Sequence, residues 1–242
     1  MRTYSIKRQH SVDICRGASG CFLAGLLLFT LLFGRGVSGG ATESISYIED
    51  LVGQGRKVAV VLIDMQTGFM SRYMQSEFVE VVSEQNKLLS HFEENMGVEV
   101  IDVNYYEHGP TLSEHLQSLK KKVLYKLFFK REDGAIRAMS AEDTPGEPSQ
   151  LDAFLTSRGI QEVFVTGCFE GACVYRTVRD FLRRGFKVTI DRKLNIIGDV
   201  KDSAGRSSEE MKPLNQEKWQ SLKKEFETLT EVPPLIESYC DI

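Results

Sequence analysis

The stretch that decides the fold is Val163–Ile190, with the sequence VFVTGCFEGACVYRTVRDFLRRGFKVTI. It opens with an apolar, β-branched run typical of a buried strand and continues through a turn that contains Gly167 and Gly171. Apolar residues then recur at helical spacing until Gly185, and Lys187–Ile190 predicts another strand. Strand, turn, helix and strand in this order form the βαβ unit of a parallel sheet.

This unit places Cys173 at the point where the turn becomes the helix. Backbone N–H groups and the positive dipole at a helix N-terminus stabilise a thiolate. We therefore expect the pKa of Cys173 to lie below the roughly 8.5 of a free thiol, which makes this residue a candidate nucleophile. The alternative interpretation is a small buried apolar residue, the commoner role of a cysteine without a disulfide.

Strands and helices also alternate on the N-terminal side of this unit. Val58–Ile63, VAVVLI, is typical of a strand buried on both faces, and Asp64 follows it directly. Glu99–Val103 predicts a second strand, and the polar stretch Asp191–Pro213 predicts a loop or lid. Helices are predicted over Glu77–Met96, Leu112–Lys122, Leu151–Arg158 and Leu214–Leu229. This order predicts a three-layer α/β/α domain with a doubly wound, mainly parallel sheet, whose ligand-binding edge carries Asp64.

The first 39 residues have the three parts of a secretory signal: a basic leader, an apolar core and small residues after it. The apolar core, Cys21–Phe33, would span about 20 Å as a helix, less than the roughly 30 Å hydrocarbon core of a bilayer. A cleaved signal and a secreted or periplasmic protein are predicted, with an uncleaved membrane anchor as the alternative. The predicted organisation is a leader (1–39), a linker (40–56) in which Ile45–Val52 is a candidate short helix, an α/β domain (57–232) and a tail (233–242).

Composition and charge exclude several classes of protein. Hydrophobic residues make up 42% of the chain and charged residues 26%, which is ordinary for a globular domain. Loss of residues 1–39 would remove five basic residues and one acidic residue and leave a net charge of −8, so binding to nucleic acid is not expected. Three cysteines would remain, Cys168, Cys173 and Cys240, and their odd number argues against a disulfide framework.

Four motifs in this order resemble the isochorismatase-like cysteine hydrolases, the superfamily of nicotinamidases and N-carbamoylsarcosine amidases. They are an Asp-x-Gln-x-x-Phe segment after the first strand (Asp64–Phe69), a lysine followed by small residues (Lys130–Ile136), a Gly-x5-Cys-Val-x-x-Thr segment (Gly167–Thr177), and the helix and strand after it (Arg179–Val188). The resemblance covers about residues 58–191. It implies an α/β fold and the hydrolysis of C–N bonds.

The resemblance also implies roles for individual residues. Asp64 would exchange the proton of Cys173, Lys130 would hold Asp64 and favour the thiolate, and Cys173 would attack a carbonyl to form a thioester. The backbone N–H groups of Phe169 and Cys173 would form the oxyanion hole, preceded by a cis peptide between Cys168 and Phe169. Lys126 is an alternative to Lys130.

The sequence departs from the family pattern around the substrate. Where nicotinamidases carry a metal-binding Asp-x-His motif, this chain has NYYEH at 104–108, so neither a metal nor any other cofactor is expected. Phe69 and Glu170 are predicted to line the substrate pocket, together with the loops at 68–73 and 104–110. The residue patterns do not identify the substrate.

Three hypotheses follow for the function. The first is a cysteine hydrolase that cleaves an amide-type bond of a small molecule with Asp64, Lys130 and Cys173. The second is a thiol-redox protein that uses Cys168 and Cys173. The third is a non-catalytic member of the fold that binds a partner. Self-association is expected from the resemblance, and contact with a membrane only through the N-terminal segment.

Overall fold

The computed structural model of the protein describes residues 40–72, 75–92, 97–120, 125–141, 150–198 and 205–232. The predicted signal or anchor and the C-terminal tail lie outside these residues, and both stay predictions. None of the helices within the described ranges is long and apolar enough to cross a membrane.

Seven strands of the described chain form one sheet in the order β4-β3-β2-β1-β5-β6-β7. All neighbours are parallel except β4, which is antiparallel to β3. The strands are β1 (Val58–Ile63), β2 (Val98–Tyr105), β3 (Tyr125–Lys130), β4 (Met139–Ser140), β5 (Glu162–Cys168), β6 (Lys187–Ile196) and β7 (Leu229–Glu231). This confirms the predicted doubly wound α/β fold.

Helices cover both faces of the sheet. They are α1 (Gly40–Gly53), α2 (Gln75–His91), α3 (Ser113–Leu119), α4 (Leu151–Ser157), α5 (Tyr175–Arg183) and α6 (Ser208–Glu225), with a 3₁₀ helix at Thr67–Arg72 and a π-helical turn at Glu170–Val174. Apolar residues of α4, α5 and α6 form one core with the odd-numbered residues of β1. Those of α1, α2 and α3 form a second core with its even-numbered residues. All six residues of β1 are therefore buried, as its continuous apolar sequence predicts.

The predicted loop after Asp191 is shorter in the structure. Strand β6 continues to Ile196 because Leu194 and Ile196 are buried against the second core. Helix α6 begins at Ser208, six residues before its predicted start, and Ser207 caps it in a capping box with Glu210. Residues 199–204 lie outside the described ranges.

Helix α1 occupies most of the stretch for which the sequence predicted a linker. Ala41, Ile48 and Leu51 pack into the second core, and the hydroxyl of Ser44 donates a hydrogen bond of 2.8 Å to the carboxylate of Asp191 on β6. The buried residues Ala41, Ser44, Ile48 and Leu51 recur at intervals of three and four, the spacing of one helix face, but Ser44 interrupts the apolar pattern. Helix α1 is therefore part of the domain.

The packing of α1 can be tested by truncating Ile48, which is fully buried. We expect Ile48→Ala to lower the free energy of unfolding by about 2–4 kcal/mol, as other buried Ile truncations do. Chemical denaturation monitored by circular dichroism measures this change. Ser46→Ala, at an exposed position of the same helix, is the matched control, and equal stability of the two variants would contradict the docking of α1.

Candidate active site

The carboxyl end of β1 carries Asp64, whose side chain is 1% exposed. Its backbone has a φ of 54°, a left-handed conformation that aspartate tolerates better than most residues. The amide of Asp64 donates to the carbonyl of Val103, and its carbonyl accepts a bond of 3.0 Å from the thiol of Cys168 on β5. The neighbouring strand ends thus fix the position of this carboxylate.

Lys130, the last residue of β3, reaches across the end of β2 to Asp64. Its Nζ lies 2.8 Å from Oδ2 of Asp64, donates to the carbonyl of Asp133 at 2.9 Å, and lies 5.0 Å from the centre of the Tyr105 ring. Lys126 lies four residues earlier in the same strand and is only half-buried. Of the two candidate lysines, the structure therefore brings Lys130 to Asp64.

Cys173 lies in the π-helical turn that joins β5 to α5 and is 8% exposed. The Asp64 carboxylate interacts electrostatically with this thiol and forms an ion pair with the ammonium of Lys130. The peptide bond between Cys168 and Phe169, just before this turn, is cis. The structure thus brings together the three residues for which catalytic roles are predicted.

The charge state of Cys173 differs from the expectation. Burial and the nearby charge of Asp64 raise the pKa of its thiol to about 12, because Lys130 lowers this pKa by less than Asp64 raises it. Burial also raises the pKa of Asp64, although Lys130 opposes this shift. The prediction of a depressed thiol pKa is therefore wrong, because loss of hydration outweighs the favourable position at the start of a helix. At neutral pH, Cys173 is therefore a thiol in the resting protein.

Glu170 does not line the pocket, contrary to the prediction. Its side chain is fully buried, and its carboxylate accepts hydrogen bonds from Asn215 at 2.8 Å and Trp219 at 3.1 Å, both on α6, and from Arg192 on β6. Gly171 beside it has no room for a side chain, because a Cβ there would lie 2.2 Å from Oδ1 of Asn215. Glu170 thus fastens the turn that carries Cys173 to α6.

A cluster of aromatic rings forms at the 3₁₀ helix that follows Asp64. Phe69 stacks on His108 with ring centres 4.6 Å apart and contacts Phe169 edge to face. The guanidinium of Arg72 lies 5.4 Å from the centre of the Phe69 ring and 5.8 Å from that of Phe169. These contacts are consistent with the predicted pocket wall at Phe69.

Gln66 ties this wall to the strand that carries Asp64. Its side-chain amide donates to the carbonyls of Tyr105 and Gly109 and accepts from the amide of Tyr105. This explains physically why the segment after β1 has a glutamine two residues after the aspartate. The sequence offers no comparable signal for Tyr105, Arg72 or Asp133, since an aromatic or charged residue in a loop is ordinary.

The predicted oxyanion hole at the amides of Phe169 and Cys173 stays a prediction. Both amides belong to the segment that positions the thiol. Within the described ranges, no group of three or more His, Cys, Asp and Glu side chains is placed to hold a metal ion.

Comparison with known proteins identifies the family. The model of the isochorismatase domain matches residues 58–208, more than half of the chain, so the chain belongs to the isochorismatase family of hydrolases. This confirms the resemblance seen in the sequence motifs. A comparison with curated protein sequences gives no significant match.

Solved structures share the fold at low sequence identity. An isochorismatase from Pseudomonas putida KT2440 is 17% identical with a TM-score of 0.54, over 73% of this chain and 88% of that one. The nicotinamidase SaPncA from Staphylococcus aureus is 12% identical with a TM-score of 0.51, over 74% and 99%. YcaC from Escherichia coli, an octameric hydrolase of unknown specificity, is 15% identical with a TM-score of 0.50, over 72% and 75%.

The electrostatic arrangement predicts that Asp64→Asn lowers the pKa of Cys173. The substitution removes the negative charge that opposes the thiolate and keeps the positive charge of Lys130. We expect the midpoint of the pH profile of Cys173 alkylation by iodoacetamide, measured by intact mass with Cys173→Ala as the background, to lie at lower pH than in the wild type. Asp50→Asn, on the exposed side of α1, is the control for the loss of one charge. A midpoint at the same or higher pH in Asp64→Asn would contradict this account.

The contacts of Glu170 predict a structural effect of Glu170→Gln. The substitution leaves the guanidinium of Arg192, whose side chain is 18% exposed, without its ionic partner. We expect the free energy of unfolding to fall by about 3 kcal/mol, the cost of breaking a buried ion pair. Urea denaturation measures this loss, and Glu225→Gln at the exposed end of α6 is the control. A loss below about 1 kcal/mol, typical of surface ion pairs, would refute the anchoring role.

Proposed function

We propose that this protein is a cysteine hydrolase that cleaves the C–N bond of a small amide through a thioester, with Asp64, Lys130 and Cys173 as its catalytic residues. The observation that supports this most is that one buried carboxylate interacts with both the thiol and the ammonium. Such an arrangement provides a nucleophile, a base within reach of its proton and a cation that keeps the base in place.

In the first step, the carboxylate of Asp64 takes the proton of the Cys173 thiol as the sulfur attacks the carbonyl carbon. A C–S bond forms, and the carbonyl electrons move onto oxygen, where the amides of Phe169 and Cys173 would donate hydrogen bonds. When the C–O double bond re-forms, the C–N bond breaks and Asp64 gives its proton to the departing nitrogen. An amine or ammonia leaves, and a thioester remains.

In the second step, Asp64 takes a proton from a water molecule that attacks the thioester. The C–O bond forms, the C–S bond breaks, and the proton returns from Asp64 to the sulfur. The products are a carboxylic acid and the resting thiol, so one carboxylate serves both halves of the reaction. A neutral resting thiol suits this order of reaction steps, because the negative charge develops on sulfur only as Asp64 becomes neutral.

The setting of Cys168 gives little support to the redox hypothesis. Cys168 packs in the core with α1, α2 and α3, whereas Cys173 packs in the core with α4, α5 and α6 on the other face of the sheet. The thiol of Cys168 donates to the carbonyl of Asp64, which gives it a positioning role at the same site. The hypothesis of a binding protein without catalysis is the one that the experiment below must exclude.

The family and its relatives support the broader parts of the proposal. One structural relative is a nicotinamidase, whose name denotes an amide substrate, and another is an octameric hydrolase. We extend the proposal to a small-molecule amide substrate, assembly into a homo-oligomer, and secretion through the N-terminal segment.

The proposal predicts an acyl-enzyme on Cys173. We expect intact-mass analysis of the wild type with a panel of small amides to reveal a covalent acyl adduct that hydroxylamine removes, and Cys173→Ala to show neither adduct nor hydrolysis. Lys130→Gln should lower kcat by about 100-fold or more, within the range for a disturbed acid-base group. Lys126→Gln, on the same strand, is the matched control. Hydrolysis that survives Cys173→Ala would refute the mechanism, and no activity in any sample would favour the binding protein.

A further inference from the structure

A second carboxylate lies beside the nucleophile, and the mechanism above does not use it. Asp133, in the segment between β3 and β4, has its Oδ1 atom 3.9 Å from the Sγ of Cys173 and accepts a hydrogen bond from that thiol. Its side chain is 36% exposed, whereas that of Asp64 is 1% exposed. A molecule that arrives from solvent at the thiol therefore has access to Asp133 rather than to Asp64.

Several contacts fix the position of Asp133. Its carbonyl accepts the hydrogen bond from Lys130, and its Oδ2 atom pairs with the guanidinium of Arg176 on α5. The amide of Ala135 donates to the hydroxyl of Thr177 at 3.2 Å, which docks the segment on α5. Gly134 leaves no room for a side chain there, because a Cβ would lie 2.3 Å from Oδ2 of Asp180. One carboxylate oxygen is thus held by Arg176 and the other is directed at the thiol.

The distance between Asp133 and the thiol determines which groups of a bound substrate contact the Asp133 carboxylate. A carbonyl carbon ready for attack lies about 3–3.5 Å from the sulfur. Groups one or two bonds from that carbon then come within hydrogen-bond distance of an oxygen 3.9 Å from the sulfur. An N–H or ammonium group there gains a charge-assisted hydrogen bond. A carboxylate at the same place is repelled, and an apolar group leaves the oxygen desolvated without a donor.

We propose that Asp133 is a specificity-determining residue, which selects substrates with a cationic or N–H-donating nitrogen next to the scissile carbonyl. The substrate class would be small amides or ureido compounds with an amino group near the reacting carbon, in preference to anionic amides. This inference rests on the proposed function only in assuming that Cys173 is the nucleophile.

The experiment measures the charge preference of Cys173 without a known substrate. The probes are 2-aminoethyl and 2-sulfonatoethyl methanethiosulfonate, which differ in the sign of their charge. Each forms a disulfide with the cysteine sulfur and releases methanesulfinate, as the thiol proton passes to solvent. Intact mass of the full chain gives the rate at which each probe modifies the protein, and Cys173→Ala gives the background from other cysteines. Each rate is divided by the rate at which the same probe reacts with 2-mercaptoethanol.

We expect the ratio of cationic to anionic probe rates to fall by about tenfold or more in Asp133→Asn, as for loss of one charged hydrogen bond. Asp133→Glu should keep most of the preference. Glu132→Gln removes the same charge from the adjacent exposed residue and is the matched control. An unchanged ratio in Asp133→Asn, or an equal fall in Glu132→Gln, would overturn the inference.

The result separates this inference from the proposed function. A charge preference that depends on Asp133 in a protein that hydrolyses no amide would support the inference and refute the hydrolase. The opposite outcome is amide hydrolysis that needs Cys173, together with a probe ratio and a cationic-to-anionic substrate preference that do not change in Asp133→Asn. That outcome would refute the inference and support the hydrolase. Circular dichroism of each variant verifies that it is folded.

Discussion

Lys130 and Asp64 form an ion pair in which Nζ and Oδ2 are 2.8 Å apart and both side chains are 1% exposed. Charges removed from water cost several kcal/mol each unless a partner offsets the loss. Because β1 and β3 both neighbour β2, the pair crosses the end of β2, where Tyr105 is the register partner of Lys130. A shift in register would leave one buried charge without its partner. The interaction that builds the site therefore also fixes the pairing of these three strands.

The nucleophile depends on the same ion pair but comes from the opposite side of β1. Strand β5 brings the π-helical turn to the carboxyl edge, and Glu170 and Gly171 hold this turn against α6. Since Asp64 is already buried next to Lys130, a resting thiolate at Cys173 would add an excess negative charge to a poorly hydrated place. Cys173 is therefore a neutral thiol at rest. In the proposed mechanism, its reactivity depends on transfer of the proton to Asp64 while the substrate is bound.

The sequence was sufficient to predict four of the seven strands of the described chain, the complete burial of β1 and, through the family resemblance, the three residues that meet at the edge of the sheet. Continuous apolar runs identify buried strands, and the carboxyl ends of parallel strands converge at one edge whatever the loops do. The errors have a common cause. Helix α1, the role of Glu170 and the pKa of Cys173 all depend on what packs around a residue, which local patterns do not contain. In the sequence, for example, Glu170 is only a polar residue in a turn. Its burial depends on the hydrogen bonds from Asn215 and Trp219, which are distant in the sequence.

Two ion pairs of different exposure meet at the thiol of Cys173. The Lys130–Asp64 pair is buried, so any change there carries a cost in folding as well as in chemistry. The Asp133–Arg176 pair has side chains that are 36% and 52% exposed, and such pairs contribute only about 0–1 kcal/mol to stability. Substitutions at the exposed pair can therefore alter which molecules approach the sulfur while the fold stays intact. Under the two proposals, the residue that selects the substrate, Asp133, is separate from the residues that hold the strands in register. Substrate preference can therefore change while the type of reaction stays the same.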